Sequence, residues 1–309
     1  MSERERPSPL GPYRPKREES PFGPRPKRQP PRDPFAPPGA EPEADQVQRV
    51  RPRPPERPLD LLVEVARGGA ALGHVPRLPG LCFRAGDATQ LIRIAPSKVV
   101  EYLRWLVDEN LGDLNLLAAA MTRLVRAGYG AEIQVTERER RDGAPLWISG
   151  NPAVLFDLDH RPLGDEEVRA HFRFIRQVLR RMRVGLAGLA SGQRAWKPAP
   201  DRRSLDETMT HIGDCVWWYC SRIDDALPET AGPPDEEPIE RVGRLVEEAA
   251  EFQLAVPLSA RAEIHVPARF LTSDEREPWT HTKACRRQAE HFWEHLQGLP
   301  RAVKMAAEA

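Results

Sequence analysis

Three histidines are the residues whose types and spacing point most directly to chemistry. His291 and His295 lie four residues apart in a segment with helical patterning, so both imidazoles project from one helix face. His211 lies in another predicted helix. A third imidazole from a neighbouring helix completes a three-ligand metal site, with one coordination position open to water or substrate. Neutral imidazole suits zinc, nickel, copper and iron.

The spacing of the histidine pair also fits a solvated helix that holds no metal. Glu290 and Glu294 lie beside the pair and indicate that much of this helix faces solvent. If a metal is bound, Asp214 and Glu294 are candidates to accept the second ring N–H of its histidine ligands. No general base can be assigned from the sequence.

Other chemistry-bearing residues favour structural roles. Cys215, one turn beyond His211, is a candidate fourth ligand or redox thiol, but core packing is favoured because cysteine is readily buried. Cys285 lies too far along its helix to join His291. His171 is a candidate to approach the mouth of the site, but a solvent-facing position is favoured for it. Packing or a dimer face is favoured over a substrate pocket for three adjacent aromatic residues: Trp217, Trp218 and Tyr219. The sequence has no glycine-rich phosphate loop and no Gly-x-Ser-x-Gly elbow.

Composition bounds the class of protein. The 309 residues suffice for two domains, and the formal net charge of zero gives no general attraction to nucleic acid or anionic membrane. No apolar run is long enough to span a membrane, and the first residues lack the apolar core of a secretory signal. Four scattered cysteines do not make a disulfide framework. A reduced, cytoplasmic protein is the expectation.

Residues 1–58 are rich in proline and arginine and poor in aliphatic residues, which predicts a disordered tail with polyproline II character. The tail contains two similar motifs, over 8–17 and 20–28. They indicate either a solvated, compositionally biased tail, which is favoured, or a duplicated peptide that docks on a partner or on RNA. The tail is the one part of the chain for which nucleic acid is considered as a partner.

Residues 59–140 are predicted to form a small α+β domain. Strands are expected over 61–66, 70–75, 81–84 and 131–136, and helices over 87–110 and 114–127. The segments Val63-Glu-Val65, Gly73-His-Val-Pro-Arg-Leu-Pro-Gly80 and Val100-Glu-Tyr-Leu-Arg-Trp-Leu106 resemble the HicB-like antitoxin family. The resemblance is used for the fold alone, since nothing in the sequence supplies the ribonuclease toxin that such antitoxins bind.

A turn-rich connector over 141–164, with Trp147, Leu155 and Phe156 expected to pack on a domain, leads to a predicted four-helix bundle over 165–303. The expected helices span 165–189, 204–223, 239–254 and 280–298. Ser204 and Glu207 form a capping box at the second helix, and Thr280 is a plausible N-cap of the fourth. Pro300 is expected to stop that last helix.

Three segments in the second half of the chain form a further pattern: Ser204-Leu-Asp-Glu-Thr-Met-Thr-His-Ile-Gly-Asp-Cys-Val-Trp-Trp-Tyr219, Glu277-Pro-Trp-Thr280 and Arg286-Arg-Gln-Ala-Glu-His-Phe-Trp-Glu-His295. They resemble the DinB/YfiT-like family of metal-dependent up-down four-helix bundles. That family places one ligand in its second helix and an His-x-x-x-His pair in its fourth. The resemblance implies a divalent metal, zinc or nickel first, on His211, His291 and His295.

The resemblance also implies an activity, because members of the family include transferases and isomerases that use a low-molecular-weight bacterial thiol. The expectation is a metal- and thiol-dependent transferase acting on a small electrophile. Two alternatives stay open: a metal-dependent hydrolase, and a non-enzymatic regulatory or interaction protein whose bundle is a scaffold. A homodimer is a mild expectation for a helical bundle with apolar outer stripes.

Overall fold

The computed structural model describes residues 58–144, 152–229, 232–233, 235–272 and 276–309. Over these ranges the chain is an α+β protein with a four-stranded mixed sheet, seven α-helices and two short 3-10 helices. The disordered tail predicted over 1–58 lies outside the described residues up to position 57, and so does Trp147 of the predicted connector. None of the described helices combines the length and the apolar character that a membrane crossing needs.

The sheet is built from four strands in the order β3-β2-β1-β4. Strand β2 pairs antiparallel with both β1 and β3, whereas β4 lies parallel to β1. The strands are β1 (Leu59–Ala66), β2 (Ala71–His74), β3 (Cys82–Ala85) and β4 (Val135–Ala144). Gly69, with φ of 89°, takes a left-handed conformation in the turn between β1 and β2. The first three predicted strands are confirmed.

The fourth strand differs from its prediction over 131–136. Residues 130–132 form a 3-10 turn, and β4 begins at Val135 and continues through a run of charged residues. Of the predicted residues, only Val135 and Thr136 lie in β4. β4 is an edge strand held by its backbone pairing with β1, so its exposed side chains need not be apolar.

Two helices follow β3, of which the first packs on the sheet and the second packs on the first. Helix α1 (Ala88–Asp108) begins after Asp87, whose carboxylate accepts the Gln90 N–H at 2.7 Å. Helix α2 (Leu116–Arg126) begins after Asn115, whose side chain accepts the Ala118 N–H at 2.8 Å. Both caps satisfy backbone donors that a helix start otherwise leaves unpaired.

The second half of the chain is helical. Its helices are α3 (Asp165–Leu186), the unpredicted short α4 (Ser191–Ala195), α5 (Leu205–Ser221), α6 (Pro238–Ala255) and α7 (His281–Ala307). The four long helices contact one another in a ring, with α3 touching α6 and α7, and α5 touching the same two. This arrangement brings α5 and α7, which carry the three histidines, side by side.

Helix α7 lies at the centre of the protein. Every residue from 280 to 293 is buried. One face of the sheet, with Leu61, joins the same core as α1, while Leu62 on the other face packs with Val154 and Phe156. Glu290 of α7 meets that second face. The sheet and the long helices therefore share the central helix, and all described residues belong to one compact unit.

The prediction that Pro300 limits the last helix is wrong, because α7 continues to Ala307. Proline removes one backbone N–H and so leaves the carbonyl one turn earlier without its usual donor. Pro300 is exposed, where water can serve that carbonyl.

Candidate metal centre

Local sequence places the first histidine. The Ser204 hydroxyl accepts the Glu207 N–H at 3.1 Å, and the Glu207 carboxylate accepts the Ser204 N–H at 2.9 Å. This reciprocal cap, confirmed as predicted, starts α5 two turns before His211. On α7, Thr280 caps the helix through the Lys283 N–H at 3.2 Å. The two caps define the residues at which α5 and α7 begin, and so the helix positions that the histidines occupy.

The three predicted histidines come together. One ring nitrogen from each of His211, His291 and His295 lies within 4.8 Å of the others. The Nε2 atoms of His291 and His295 are 3.0 Å apart. The ring centroid of His211 lies 5.2 Å from that of His291 and 5.5 Å from that of His295. His291 is buried, and the other two are partly exposed, which leaves the cluster open on one side.

These distances suit a transition metal. Nitrogen ligands at 2.0–2.1 Å from a tetrahedral ion lie about 3.3 Å from one another. The observed 3.0 Å separation and the 4.8 Å limit bracket that value, so small side-chain rotations bring all three nitrogens to bonding distance. Three imidazoles without a fourth protein ligand are the donor set of a metal site that keeps a position for an exogenous group.

Electrostatics keeps the three imidazoles neutral. Burial, together with the neighbouring His295 and His211, holds the pKa of His291 well below its usual value. Burial, His211 and Arg203 lower the pKa of His295 to about 4. Burial and Arg203 also lower the pKa of His211, against the opposing charge of Asp214. At neutral pH each ring therefore has a lone pair available, which is the form that binds metal.

Cys215 is the nearest thiol to the cluster. Its sulfur lies 3.7 Å from both ring nitrogens of His211, and the residue is partly exposed rather than part of the deep core. Burial of the thiol raises its pKa to about 12, so it stays protonated at neutral pH in the absence of metal. The other thiol considered, Cys285, is buried away from the site against Gln253.

The three aromatic residues that follow Cys215 have different roles: one packs in the core and two line a cavity. Tyr219 is buried, with its ring centroid 6.0 Å from that of His291. The indole N–H of Trp217 donates to the Pro228 carbonyl at 2.9 Å, and that of Trp218 donates to the Phe270 carbonyl at 3.0 Å. A cavity of about 400 Å³ is lined by both tryptophans and by Asp214, Cys215, Glu229 and Arg241. It lies along the α5 face that carries His211.

The two carboxylates proposed to orient ligand histidines have other partners. Asp214 forms an ion pair with Arg241 at 2.9 Å. Glu294 forms an ion pair with Arg84 at 3.3 Å. His171 is buried rather than solvent-facing, so that expectation is wrong; its Nδ1 donates to the Glu167 carbonyl at 2.7 Å.

The expectation that Glu290 marks a solvated helix face is also wrong. Glu290 is 1 % exposed and lies in a buried charge cluster that the sequence did not reveal. The arginine pair at positions 286–287, spaced three and four residues before Glu290, was the available signal for intrahelical pairing. Its burial was not. The charge cluster comprises Glu64, His74, Asp159, Arg286, Arg287 and Glu290.

No protein-family model, curated protein or solved structure matches the chain.

Proposed function

We propose that this chain is a metalloprotein in which His211, His291 and His295 hold one divalent transition metal, zinc or nickel. The observation that carries the proposal is the convergence of three imidazoles, from two helices distant in sequence, with their ring nitrogens within 4.8 Å. Burial holds the rings neutral. A chance surface cluster would lack this combination of convergence and partial burial.

The arrangement of the long helices supports the four-helix-bundle interpretation. Helices α3, α6, α5 and α7 contact in a ring, and facing helices of a bundle commonly build metal sites from inward side chains. That layout agrees with the resemblance to the DinB/YfiT-like family. The antiparallel strands β1 to β3 followed by α1 agree with the weaker HicB-like resemblance, which concerns the fold alone.

We propose a thiol-dependent transferase as the activity. A metal at this site would lower the pKa of a bound thiol or water, and so supply a nucleophile at neutral pH. The residues of the chain hold the three imidazoles neutral and leave the side of His211 and His295 accessible. The cavity lined by Cys215 and Trp218, along the same face of α5, offers space for a small electrophilic substrate.

Elemental analysis of the purified full-length protein tests the proposal. We expect about one zinc or nickel per chain. His291→Ala and His295→Ala should lose the metal, while His160→Ala, which changes an exposed histidine in a 3-10 helix, should retain it. Circular dichroism of each variant checks folding.

The metal site would be refuted if the wild-type protein contains no metal and is as stable as the same protein with added zinc or nickel. That result would favour the non-enzymatic interaction protein. With metal present, turnover of an electrophile only when a low-molecular-weight thiol is added would support the transferase. Turnover with water alone would instead show a metal-dependent hydrolase.

A further inference from the structure

A second cavity, separate from the histidine cluster, lies where the sheet meets the central helix. It has a volume of about 430 Å³, within the usual range of roughly 300–1,000 Å³ for small-molecule sites. Its walls come from the end of the 76–81 loop and β3, from one face of α1, and from α7. We call it the β3 cleft, and it is lined by Leu81, Cys82, Phe83, Arg84, Lys98, Glu101, Tyr102, Trp293, Glu294 and Gln297.

The β3 cleft and the histidine cluster use different faces of α7. At 100° per residue, the mean direction of Trp293, Glu294 and Gln297 lies roughly 130° from that of His291 and His295, and Glu294 alone lies roughly 80° from it. A molecule in the β3 cleft therefore does not occupy the position that a metal would leave open.

The floor of the β3 cleft is apolar and rigid. The rings of Tyr102 and Trp293 meet edge to face with centroids 5.1 Å apart, and Trp105 packs on Trp293 with centroids 5.0 Å apart. The Tyr102 hydroxyl donates to the Pro79 carbonyl, which holds the ring in place. Preformed aromatic walls of this kind favour the binding of an apolar group, because little conformational entropy is lost.

One polar group in the β3 cleft lacks a partner. The Oε1 atom of Glu294 pairs with the Arg84 guanidinium at 3.3 Å, but its Oε2 atom is buried with no hydrogen-bond partner in the described part of the chain. A buried acceptor without a donor is unfavourable, so such atoms call for an explanation. Because the terminal torsion of glutamate turns easily, either oxygen can face a bound molecule.

The charged groups around the β3 cleft determine which sign of charge a ligand should carry. Lys98 pairs with Glu101 at 2.7 Å and Arg84 pairs with Oε1 of Glu294 at 3.3 Å, so both cations of the lining already have an acidic partner. The groups that a ligand would meet are then the Oε2 atom of Glu294 and the aromatic ring faces. A carboxylate or phosphate would be repelled by Glu294. An ammonium group would donate to its free oxygen and would be attracted to the ring of Trp293.

We propose that the β3 cleft binds a small amphipathic amine, with its aromatic or alkyl body on the floor of Tyr102 and Trp293 and its ammonium group on Glu294. The site does not depend on metal at the histidine cluster. Its test and that of the proposed function therefore succeed or fail separately.

Isothermal titration of the full-length protein tests the proposal, with 2-phenylethylamine, benzylamine and hexylamine as probes and 3-phenylpropanoate as the anionic counterpart. We expect at least one amine to bind saturably at one site, about tenfold or more tighter than the anion. Glu294→Gln should weaken amine binding about tenfold. Glu166→Gln is the matched control, since it makes the same change at an exposed carboxylate of α3 that lies outside the β3 cleft, and should leave binding unchanged.

A second variant keeps the proposal testable if Glu294→Gln does not fold. Gln297→Trp places an indole at an exposed rim position without disturbing the core, and should also weaken amine binding by obstructing the cleft. The proposal is overturned if none of the amines binds saturably or if the anion binds as tightly as the best amine. The proposal is also overturned if Glu294→Gln folds and binds the amine as tightly as the wild type. If Glu294→Gln does not fold, unchanged amine binding by Gln297→Trp overturns it.

Discussion

The Nδ1 atom of His74 in β2 lies 3.0 Å from the Glu290 carboxylate in α7, one residue before His291. On its other side the His74 ring meets Glu64 at 3.1 Å. Burial lowers the pKa of His74, but the charge of Glu290 and hydrogen bonds to both carboxylates outweigh it and raise that pKa. The imidazole is therefore held as a cation between two carboxylates, and it links the sheet to the helix that carries two of the three candidate ligands.

Removing the charge of Glu290 should destabilise the protein strongly. Its carboxylate faces His74, Arg286 and Arg287, all buried, so Glu290→Gln leaves cations in the core without their counter-charge. We expect a loss of about 3–5 kcal/mol in the free energy of unfolding, measured by urea denaturation. Glu101→Gln, in an exposed pair with Lys98, should cost no more than about 0.5 kcal/mol. Equal losses for the two variants would contradict the central role of the buried charge cluster.

Alanine substitutions at two glycines distinguish the cost of a strained backbone from the cost of a steric clash. Gly69 has φ of 89° with open space around it, whereas Gly80 has φ of 82° and a Cβ there would lie 2.1 Å from Cε1 of Phe174. Gly69→Ala should cost roughly 1–2 kcal/mol for its left-handed backbone. Gly80→Ala should cost that amount plus roughly 1–3 kcal/mol for overpacking against Phe174. Thermal or chemical unfolding that ranks the two variants equally would show that Phe174 moves aside freely.

His281 should make the protein less stable in acid. Its Nε2 donates to the Gln253 carbonyl at 2.9 Å, and burial lowers its pKa to about 4. The unfolded state takes up a proton near pH 6.5, whereas the folded state does not until about pH 4. Stability from this residue is therefore complete above pH 6.5 and falls as the pH decreases toward 4, by on the order of 3 kcal/mol.

The measurement for His281 is the free energy of unfolding at a series of pH values for wild type and for His281→Gln. Glutamine can donate to the same carbonyl without titrating. The variant should show a shallower loss of stability between pH 6.5 and 4. Parallel curves for the two proteins would show that other groups set the acid sensitivity.

Cys215 should be dispensable for metal binding. Three imidazole nitrogens already converge, and the thiol stays protonated up to a pKa of about 12 in the absence of metal. Cys215→Ala should keep the metal content of the wild type within error, whereas His211→Ala should lose it. Loss of metal from folded Cys215→Ala would indicate a closed four-ligand site, which argues for a structural rather than a catalytic metal.

Sequence periodicity predicts most of this fold because its signals are local. The capping box of Ser204 and Glu207 and the apolar stripes of the long helices depend on neighbours within a few positions. Spacing alone predicts that His291 and His295 share a helix face. The grouping of His211 with them depended also on the expectation of a bundle and on the resemblance to the DinB/YfiT-like family.

The missed features depend on partners distant in the chain. Nothing local distinguishes Glu290, buried against His74, from a glutamate on a solvated helix face. His171 was misplaced for the same reason. The charged strand β4 belongs to the sheet through pairing with β1 rather than through an apolar pattern of its own. Tertiary surroundings decide these cases, and a single sequence does not display them.

The central position of α7 has a consequence for synthesis. His74 and Glu290 are separated by 216 positions, so at about 5–20 residues per second roughly 10–40 s pass between the two leaving the ribosome's catalytic centre. During that interval the face of the sheet that carries Glu64 and His74 remains without the helix that covers it. The nascent chain therefore cannot complete its folded core until its last long helix emerges, and the interval before then is when a chaperone would have most to protect.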